Sequence, residues 1–488
     1  MKSIKQESHK VSLAEFITQQ YELFRTDGNG VIAILSDGSN LPINHSKFRE
    51  LCADDYCLAH GETPPNKDLV QAIMKVRQHA LAKTPIIDIV DGNEARRKDI
   101  NIFRLEDASQ LAVTAEGTAP VSRSDSGVHF TKSSGSGYAN PASTELLLPN
   151  ILAKHLNMAT EQIILFIGCL VKCFMPGPNP IMLFIGPQGS GKTLAAKVFQ
   201  MIVDPDNDSD RIQILDNISC IGGKLSDDLC RAAHNLISLL TTIVDQMPNQ
   251  DKVDRTIVFD LNSIPDEARR PETKILAELK ADLPAIMWWI FSALSAAHKN
   301  YQEVELLSYP RLADFVQSFV AACPGLEMNP DDFLEALDKN RIDSVERSLN
   351  QNPVSAAILD FMDSLEETKW SGTGTELLDL LNNSVDDDIK KHSSWPSKPN
   401  KLSAMLNRAA PFLKTRDLDI QWAKSGQRSI TLTRLQPEGE EEASGQTSMV
   451  EYHELQSAAN VDADDDTSAA NQDPAIVETS AVSSETAN

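Results

Sequence analysis

The chain has 488 residues, enough for three or four domains at roughly 100–200 residues each. Apolar residues make up 41 % and charged residues 24 %, which excludes a chain that is disordered throughout. The formal net charge of −25 excludes a surface built to contact nucleic acid everywhere, but it allows a local basic patch.

The longest apolar stretch, Ile163 to Phe174, is too short to span a bilayer and contains Lys172. The first ten residues lack the apolar core of a signal peptide. The seven cysteines are an odd number scattered through a large chain, which favours reduced thiols. We therefore expect a cytoplasmic protein without membrane contact.

Residues 1–116 mix helical and strand patterns and predict an N-terminal α+β domain. The pattern predicts strands at Gly30–Leu35 and Pro85–Val90 and helices at Lys47–Ala59 and Asn66–Ala82. Residues 117–143 are rich in Ser, Gly and Pro, so a linker or an irregular β segment is expected there.

Residues 144–300 carry the strongest motif. Two apolar helices are predicted between Glu145 and Met175, and the apolar run Ile181–Ile185 has strand length. The run leads into G-x-x-x-x-G-K-T, formed by Gly186, Pro187, Gln188, Gly189, Ser190, Gly191, Lys192 and Thr193. A helix with one apolar face follows and ends at Asp204, so the motif has the strand–loop–helix context that a phosphate-binding loop requires.

This motif predicts ATP and Mg²⁺ as ligands. Its glycines let backbone N–H groups converge on phosphate oxygens, and the helix N-terminus adds partial positive charge. Lys192 is expected to contact the β- and γ-phosphates, and the Thr193 hydroxyl to ligate Mg²⁺. A short apolar strand ending in Asp216 supplies the second metal residue; the alternative is that Asp216 caps the following turn. No Glu follows Asp216, so the usual water-activating base is not evident.

Three arginines are further candidates. A strand pattern opens with Asp254 and Arg255, and an Arg at the edge of a nucleotide-binding sheet can reach a γ-phosphate across a subunit boundary, which implies a homo-oligomer. The alternative is a surface ion pair of Arg255 with Asp254 or Asp251. Arg269 and Arg270 either sense the nucleotide in the same chain or form a solvated helix start.

Residues 301–367 read as a helical connector, and residues 368–434 as a basic module. Residues 390–434 hold ten basic and two acidic side chains, a balance of +8. Two amphipathic helices followed by a hairpin with a basic tip resemble a winged helix. The predicted DNA-binding residues are Lys398, Lys401, Arg408, Lys424 and Arg428. The alternatives are protein contacts, or pairing of this basic face with the acidic tail.

Residues 435–488 contain thirteen acidic residues and no Lys or Arg, and they are rich in Ser, Ala and Thr. Such a segment cannot bury enough apolar surface to offset the entropy of ordering, so a disordered tail is expected. It is either a solubilising extension or an arm that recruits partners or mimics DNA.

The order of these features resembles a family of phage- and mobile-element-encoded ATP-binding proteins. These look like the helicase half of viral helicase–primases, the superfamily-three branch of the AAA+ ATPases. The resemblance is carried by 146–176, 186–193, 215–219, 225–231, 254–255, 264–270, 309–315, 340–341, 352–354, 370–382 and 395–432. It implies an α/β multidomain chain with a P-loop AAA+-like ATPase core, an N-terminal α+β domain, a helical connector and a C-terminal winged helix.

The resemblance further implies a DNA-associated ATPase of helicase type in the replication of a phage or mobile element, with other replication proteins as partners. Two departures favour an alternative, a nucleotide-gated DNA-binding regulator with little hydrolysis or unwinding. Only residues 204–210 separate the loop helix from the Asp216 strand, and Thr241 stands where the family usually has a sensor Asn. A small-molecule P-loop kinase fits poorly, because nothing before the basic module reads as a substrate lid.

Overall fold

The computed structural model describes residues 11–28, 30–97, 99–131, 137–206, 212–215, 237–242, 254–306, 312–350, 353–391, 395–414, 416–423 and 429–435. Within these ranges the protein is a mixed α/β chain with several sheets. A search of its described helices finds none that is long and apolar enough to cross a membrane. The acidic tail predicted at 435–488 lies, beyond Leu435, outside the described residues.

The N-terminal elements pack around a small core of their own. They are α1 (Leu13–Gln20), β1 (Glu22–Arg25), β2 (Val31–Ile34), β3 (Asn40–Pro42), α2 (Ser46–His60) and α3 (Asn66–Lys83). The three strands form an antiparallel sheet in the order β1-β2-β3. Leu69, Ile73 and Val76 recur at helical spacing on α3, and all three are buried in this core, as the sequence predicts.

A second group of strands follows. It comprises β4 (Asp88–Val90), β5 (Glu94–Arg97), β6 (Ile100–Arg104), β7 (Gln110–Thr114), β8 (Gly117–Pro120), α4 (Arg123–Ser126) and β9 (Val128–Phe130). Strands β5 to β8 form an antiparallel meander, and β4 pairs with β9 in parallel. The segment expected to be a linker or irregular β therefore holds β8, α4 and β9. Phe103, Val113 and Tyr138 belong to the large core described next, so this meander packs on the following unit.

The central unit contains a parallel sheet. Its elements are α5 (Leu148–Ala153), α6 (Thr160–Cys173), β10 (Ile181–Ile185), α7 (Lys192–Val203), β11 (Ile212–Leu215), β12 (Ile237–Thr242), β13 (Thr256–Asp260) and α8 (Glu272–Asn300). The strand order is β11-β12-β10-β13, and all three pairings are parallel. Every residue of β10 is buried, which accounts for its unbroken apolar run. Because parallel strands end at one edge, the segments after β10, β12 and β13 meet there.

Two helices connect this unit to the C-terminal module: α9 (Ala313–Leu326) and α10 (Pro330–Asn350). Both were expected from the helical pattern. The Asn340 side chain of α10 accepts from the backbone N–H of Val258 at 3.1 Å and donates to its carbonyl at 2.6 Å. Helix α10 thus provides hydrogen-bond partners to β13 on the side where no strand among the described residues pairs with it.

The C-terminal module has its own hydrophobic core. Its elements are α11 (Pro353–Asp363), β14 (Lys369–Gly372), α12 (Gly374–Ser384), α13 (Asp387–Lys391), α14 (Pro399–Lys414), β15 (Leu418–Trp422) and β16 (Ile430–Arg434). The strands form an antiparallel sheet in the order β14-β16-β15. The predicted hairpin strands are confirmed, whereas β14 was not predicted. Ile358 of α11 is buried with Leu377, Leu402 and Leu432, so α11 is part of this core.

Candidate nucleotide-binding site

The phosphate loop turns sharply away from the end of β10. Gly186 has φ 144°, and a Cβ placed on it would lie 2.2 Å from the Leu261 carbonyl oxygen, so only glycine fits there. Gly191 precedes the first residue of α7 with φ 92°, a left-handed conformation that few other residues adopt. Pro187, Gln188 and Gly189 are exposed. The loop is therefore a backbone cradle that opens outward at the N-terminus of α7.

Lys192 and Thr193 are the first two residues of α7. The Lys192 side chain is buried, and its Nζ donates to the carbonyls of Gly186 at 2.8 Å and Pro187 at 2.7 Å, with Ser190 Oγ at 3.4 Å. The ammonium group is thereby held inside the loop. Backbone carbonyls are neutral acceptors, whereas a phosphate oxygen carries negative charge and makes a stronger charge-assisted bond to the same ammonium. This arrangement fits a polyphosphate ligand.

An asparagine that the sequence analysis did not single out ties the loop to the neighbouring strand. Asn157 Nδ2 donates to the Ser190 carbonyl at 3.0 Å and to the Asn262 carbonyl at 2.8 Å. Its side chain thus joins the phosphate loop to the segment that follows β13. Asn157 lies in the turn before α6, where no local pattern distinguishes it from an ordinary turn residue.

Of the two neighbouring arginines, only Arg269 faces the loop. Its Nη2 lies 3.6 Å from the position that a Cβ would occupy on Gly189. It pairs with Asp266 at 2.8 Å, and both side chains are exposed. Arg270 instead donates to the Lys154 carbonyl at 3.2 Å and pairs with Glu278. The guanidinium of Arg269 can therefore reach a ligand above the loop, and that of Arg270 is committed elsewhere.

Of the metal candidate Asp216 and the sensor candidate Thr241, the structure describes only Thr241. Asp216 is outside the described residues; the strand before it, β11, ends at Leu215 on the same edge of the sheet as the phosphate loop. Thr241 pairs with Phe184 and Thr242 with Ile185, and both threonines are buried. Because successive side chains of a strand point to opposite faces, only one of these threonines can point toward a given ligand. Thr242 is level with the last residue before the loop.

Arg255 lies at the opposite end of the strands from the phosphate loop. It immediately precedes β13, whose first residue, Thr256, pairs with Ile181 at the start of β10. Since the loop follows Ile185, about five residues at 3.3 Å each separate them, or roughly 16 Å. The structure does not bring Arg255 to the phosphate loop of its own chain. A catalytic role for it requires the loop of a neighbouring copy.

A cleft of about 150 Å³ lies between the start of α6, the end of β13 and α10. Gln162 Nε2 donates to the Asp260 carbonyl at 2.9 Å, and Arg347 pairs with the Asp260 carboxylate at 2.7 Å. Asp260 pairs in register with Ile185, the residue before the loop. Arg347 comes from a distant segment and carried no sequence signal, yet the fold places it at the end of the sheet from which the phosphate loop emerges.

The basic candidates of the C-terminal module are only partly described. Lys398 and Lys401 are exposed at the start of α14. Lys424, Arg428 and the side chain of Arg408 lie outside the described residues. Four other basic residues of this segment pair with nearby acids: Lys390 with Asp387, Lys391 with Asp388, Arg416 with Glu346 and Arg434 with Asp363. The free positive charge is therefore smaller than +8 and is concentrated around α14 in the described part of the module.

One comparison with known proteins, a family match, bears on the C-terminal module. A family model described as AICE RepA C-terminal domain, a replication-associated domain of a mobile element, matches residues 354–448. No curated protein matches the chain. A solved structure titled "SCCmec type IV Cch - active helicase" superimposes with a TM-score of 0.45 and 11 % identity. That superposition covers 85 % of this chain and 93 % of the other.

Proposed function

We propose that this protein is an ATP-binding, DNA-associated P-loop ATPase of helicase type that acts in the replication of a mobile element. The observation that carries the proposal is the phosphate loop between β10 and α7, with the Lys192 ammonium held inside it. The family match at residues 354–448 supports the link to replication. The parallel sheet around β10 and the three-stranded C-terminal module support an AAA+-like core and a winged helix.

In this proposal, the backbone N–H groups of residues 186–191 and the N-terminus of α7 bind the phosphates of ATP. Lys192 exchanges its bonds to the Gly186 and Pro187 carbonyls for bonds to phosphate oxygens. Thr193 and Asp216 would hold Mg²⁺, which neutralises charge that develops on the transferred phosphoryl group. Arg269 contacts the terminal phosphate from above Gly189.

Arg255 acts across a subunit boundary in this proposal. Arg255 lies too far from the phosphate loop of its own chain to contact a nucleotide bound there. It therefore acts on the phosphate loop of a second copy, so the active form is a homo-oligomer. An Arg supplied from a neighbour makes hydrolysis depend on assembly. Mixing Arg255→Ala subunits with Lys192→Ala subunits should therefore restore part of the turnover that each variant lacks alone.

DNA contacts belong to the C-terminal module. Lys398 and Lys401 stand at the start of α14, the second long helix before the hairpin, which in a winged helix enters the major groove. Arg408, Lys424 and Arg428, whose side chains lie outside the described part of the module, are further predicted contacts. The acidic remainder of the protein limits non-specific binding elsewhere.

A nucleotide-gated DNA-binding regulator is the second candidate. It is favoured by the short connection after α7, where only residues 204–211 lie between that helix and β11. A Thr at the end of β12 orients water less well than the Asn that the resemblance implies. Positioning supplies most of the rate in phosphoryl transfer, so we expect turnover below about 1 s⁻¹.

Titration of Mg-ATP tests the proposal. Lys192→Ala should weaken binding about 10- to 100-fold, since a charge-assisted hydrogen bond contributes on the order of 1.5–3 kcal/mol. Lys197→Ala is the matched control, because Lys197 is on the same helix but pairs with Glu272 at 2.7 Å. Equal affinities of the two variants would show that the loop is not the nucleotide site.

A further inference from the structure

A second cleft lies in the N-terminal region, far from the phosphate loop in sequence. It is bounded by β1, α2 and the turn between β2 and β3 on one side, and by β6, β7, α4 and β9 on the other. Its volume is about 720 Å³, which falls within the range of roughly 300–1,000 Å³ typical of small-molecule sites. Its two walls carry side chains of opposite charge.

The wall formed by β6, β7, α4 and β9 presents three nitrogen-bearing side chains. Arg104, at the end of β6, has Nη1 3.5 Å from Asn93 Oδ1, and no carboxylate within the described part of the chain lies within ion-pair distance of it. Arg123 pairs with Glu22 at 2.6 Å. His129 of β9 is 1 % exposed. Arg104 therefore offers a guanidinium whose charge no described carboxylate neutralises.

His129 is the buried member of this wall, and its ring lies next to the backbone of Gly38, close enough to interact with it. Burial lowers its pKa, with Arg123 and Arg104 acting in the same direction, whereas Glu22 and the backbone of Gly38 act against it. Because both guanidinium groups disfavour a charged imidazole, the environment of this wall is positive and favours an anionic ligand.

The opposite wall presents carboxylates. Asp55 accepts from the Tyr21 hydroxyl. Asp37 accepts from the backbone N–H of Ser39 at 2.9 Å and from its hydroxyl at 2.6 Å, and these bonds lower its pKa. Each carboxylate keeps acceptor capacity beyond these bonds. A ligand that fills the cleft must therefore carry an anion at one end and hydrogen-bond donors at the other.

We propose that this cleft binds the phosphate monoester of a nucleotide. The phosphate lies against Arg104 and Arg123, because a guanidinium binds phosphate oxygens through two parallel N–H donors. The sugar hydroxyl and base amino groups lie against Asp55 and Asp37. The monoester belongs either to a free mononucleotide or to the phosphorylated end of a DNA strand. This site is separate from the ATP site and does not depend on the proposed ATPase function.

The experiment uses full-length Lys192→Ala protein without Mg²⁺, so that the phosphate loop contributes little. Calorimetric titrations use dAMP, inorganic phosphate, and one short single-stranded oligonucleotide with and without a 5′-phosphate. We expect dAMP to bind, and Arg104→Gln to weaken its binding about tenfold or more, as the loss of one charged contact does. Preference for the phosphorylated oligonucleotide over dAMP would assign the site to strand ends; preference for dAMP would assign it to free nucleotide.

Arg97→Gln is the matched control, because Arg97 is on the same meander, pairs with Asp88 at 2.7 Å and does not line the cleft. It should leave dAMP affinity unchanged within about twofold. Arg123→Gln is a second test variant, and thermal melting of each variant verifies folding. No binding of any probe at about 1 mM, or an equal loss in Arg97→Gln and Arg104→Gln, would overturn the proposal.

Discussion

Two buried lysines show how position decides what a charge does. The Lys192 ammonium is held inside the phosphate loop, where an anionic ligand can replace the carbonyls as its hydrogen-bond acceptor. Lys172 of α6 is 0 % exposed and donates to the Pro176 carbonyl and toward Ser318 of α9 at 3.4 Å. The Lys192 ammonium can therefore bind an anionic ligand. The Lys172 ammonium instead links the C-terminal end of α6 to α9.

Burial lowers the pKa of Lys172 from 10.5 to about 8, although the charge of Asp314 opposes the shift. Between those two values the unfolded chain still holds a proton that the folded chain has lost, so stability rises with pH in that window. We expect the melting temperature of the wild type, relative to Lys172→Met, to increase between about pH 8 and pH 10. A constant difference across the window would contradict the prediction.

Arg269 gives a second prediction at the residue scale. If its guanidinium contacts the terminal phosphate, Arg269→Ala should weaken ATP binding about tenfold and leave ADP binding within about twofold. Arg270→Ala is the neighbouring control, since its side chain bonds to Lys154 and Glu278 instead. Equal losses for ATP and ADP would place Arg269 away from the terminal phosphate.

The loop residues could be predicted because the motif is local: eight consecutive residues contain the glycines, the cation and the hydroxyl. Asn157, Arg269 and Arg347 could be placed only by the fold, because each reaches the site from a separate segment. Arg269 in particular stands beside Arg270 in sequence, and nothing local distinguishes the two. Only the packing of the segment after β13 decides which one faces Gly189.

Helices and strands whose apolar residues recur in a regular pattern could be predicted from the sequence. The unbroken apolar run of β10 corresponds to a fully buried strand. The apolar residues of α3, three or four positions apart, correspond to one buried helix face. The meander β5–β8 gave no such pattern, because polar residues are buried in it. Glu94 is 9 % exposed and pairs with Arg96, and Asn101 is 2 % exposed and donates to the Phe174 carbonyl. Such partners are invisible in a sequence window.

Helix α10 carries a prediction at the element scale. Asn340→Ala removes both hydrogen bonds to the Val258 backbone and leaves its N–H and C=O unsatisfied, which should cost about 1–3 kcal/mol. The melting temperature should fall by several degrees, and ATP affinity should fall with it because β13 borders the loop. Arg341→Ala, an exposed neighbour paired with Asp338 at 3.0 Å, should change neither quantity. An unchanged melting temperature for Asn340→Ala would contradict the role of α10.

At the scale of the whole molecule, a chain with a net charge of −25 carries a basic face around the start of α14, where Lys398 and Lys401 are exposed. If that face contacts about four phosphates, log K for duplex DNA should fall with log salt at a slope of about −3.6. Reversing Lys398 and Lys401 to Glu should weaken binding for all sequences alike and flatten the slope. Lys391→Glu is the control, since Lys391 already pairs with Asp388 at 3.4 Å. A loss limited to one sequence would indicate base readout instead.

Helix α10 contacts both the unit that carries the phosphate loop and the C-terminal module. Arg347 pairs with Asp260 beside the loop, and Glu346 pairs with Arg416 of the basic module at 2.6 Å. Adjacent residues of one helix thus contact the unit that carries the phosphate loop and the C-terminal module. Because one helix contacts both parts, DNA bound to the C-terminal module can affect ATP turnover at the phosphate loop through α10.

ATP turnover measured with and without single-stranded DNA tests the central claim most directly. We predict Mg²⁺-dependent hydrolysis below about 1 s⁻¹ that rises when DNA is added and disappears in Lys192→Ala. Turnover that is insensitive to DNA, or that survives in Lys192→Ala, would contradict a DNA-associated P-loop ATPase.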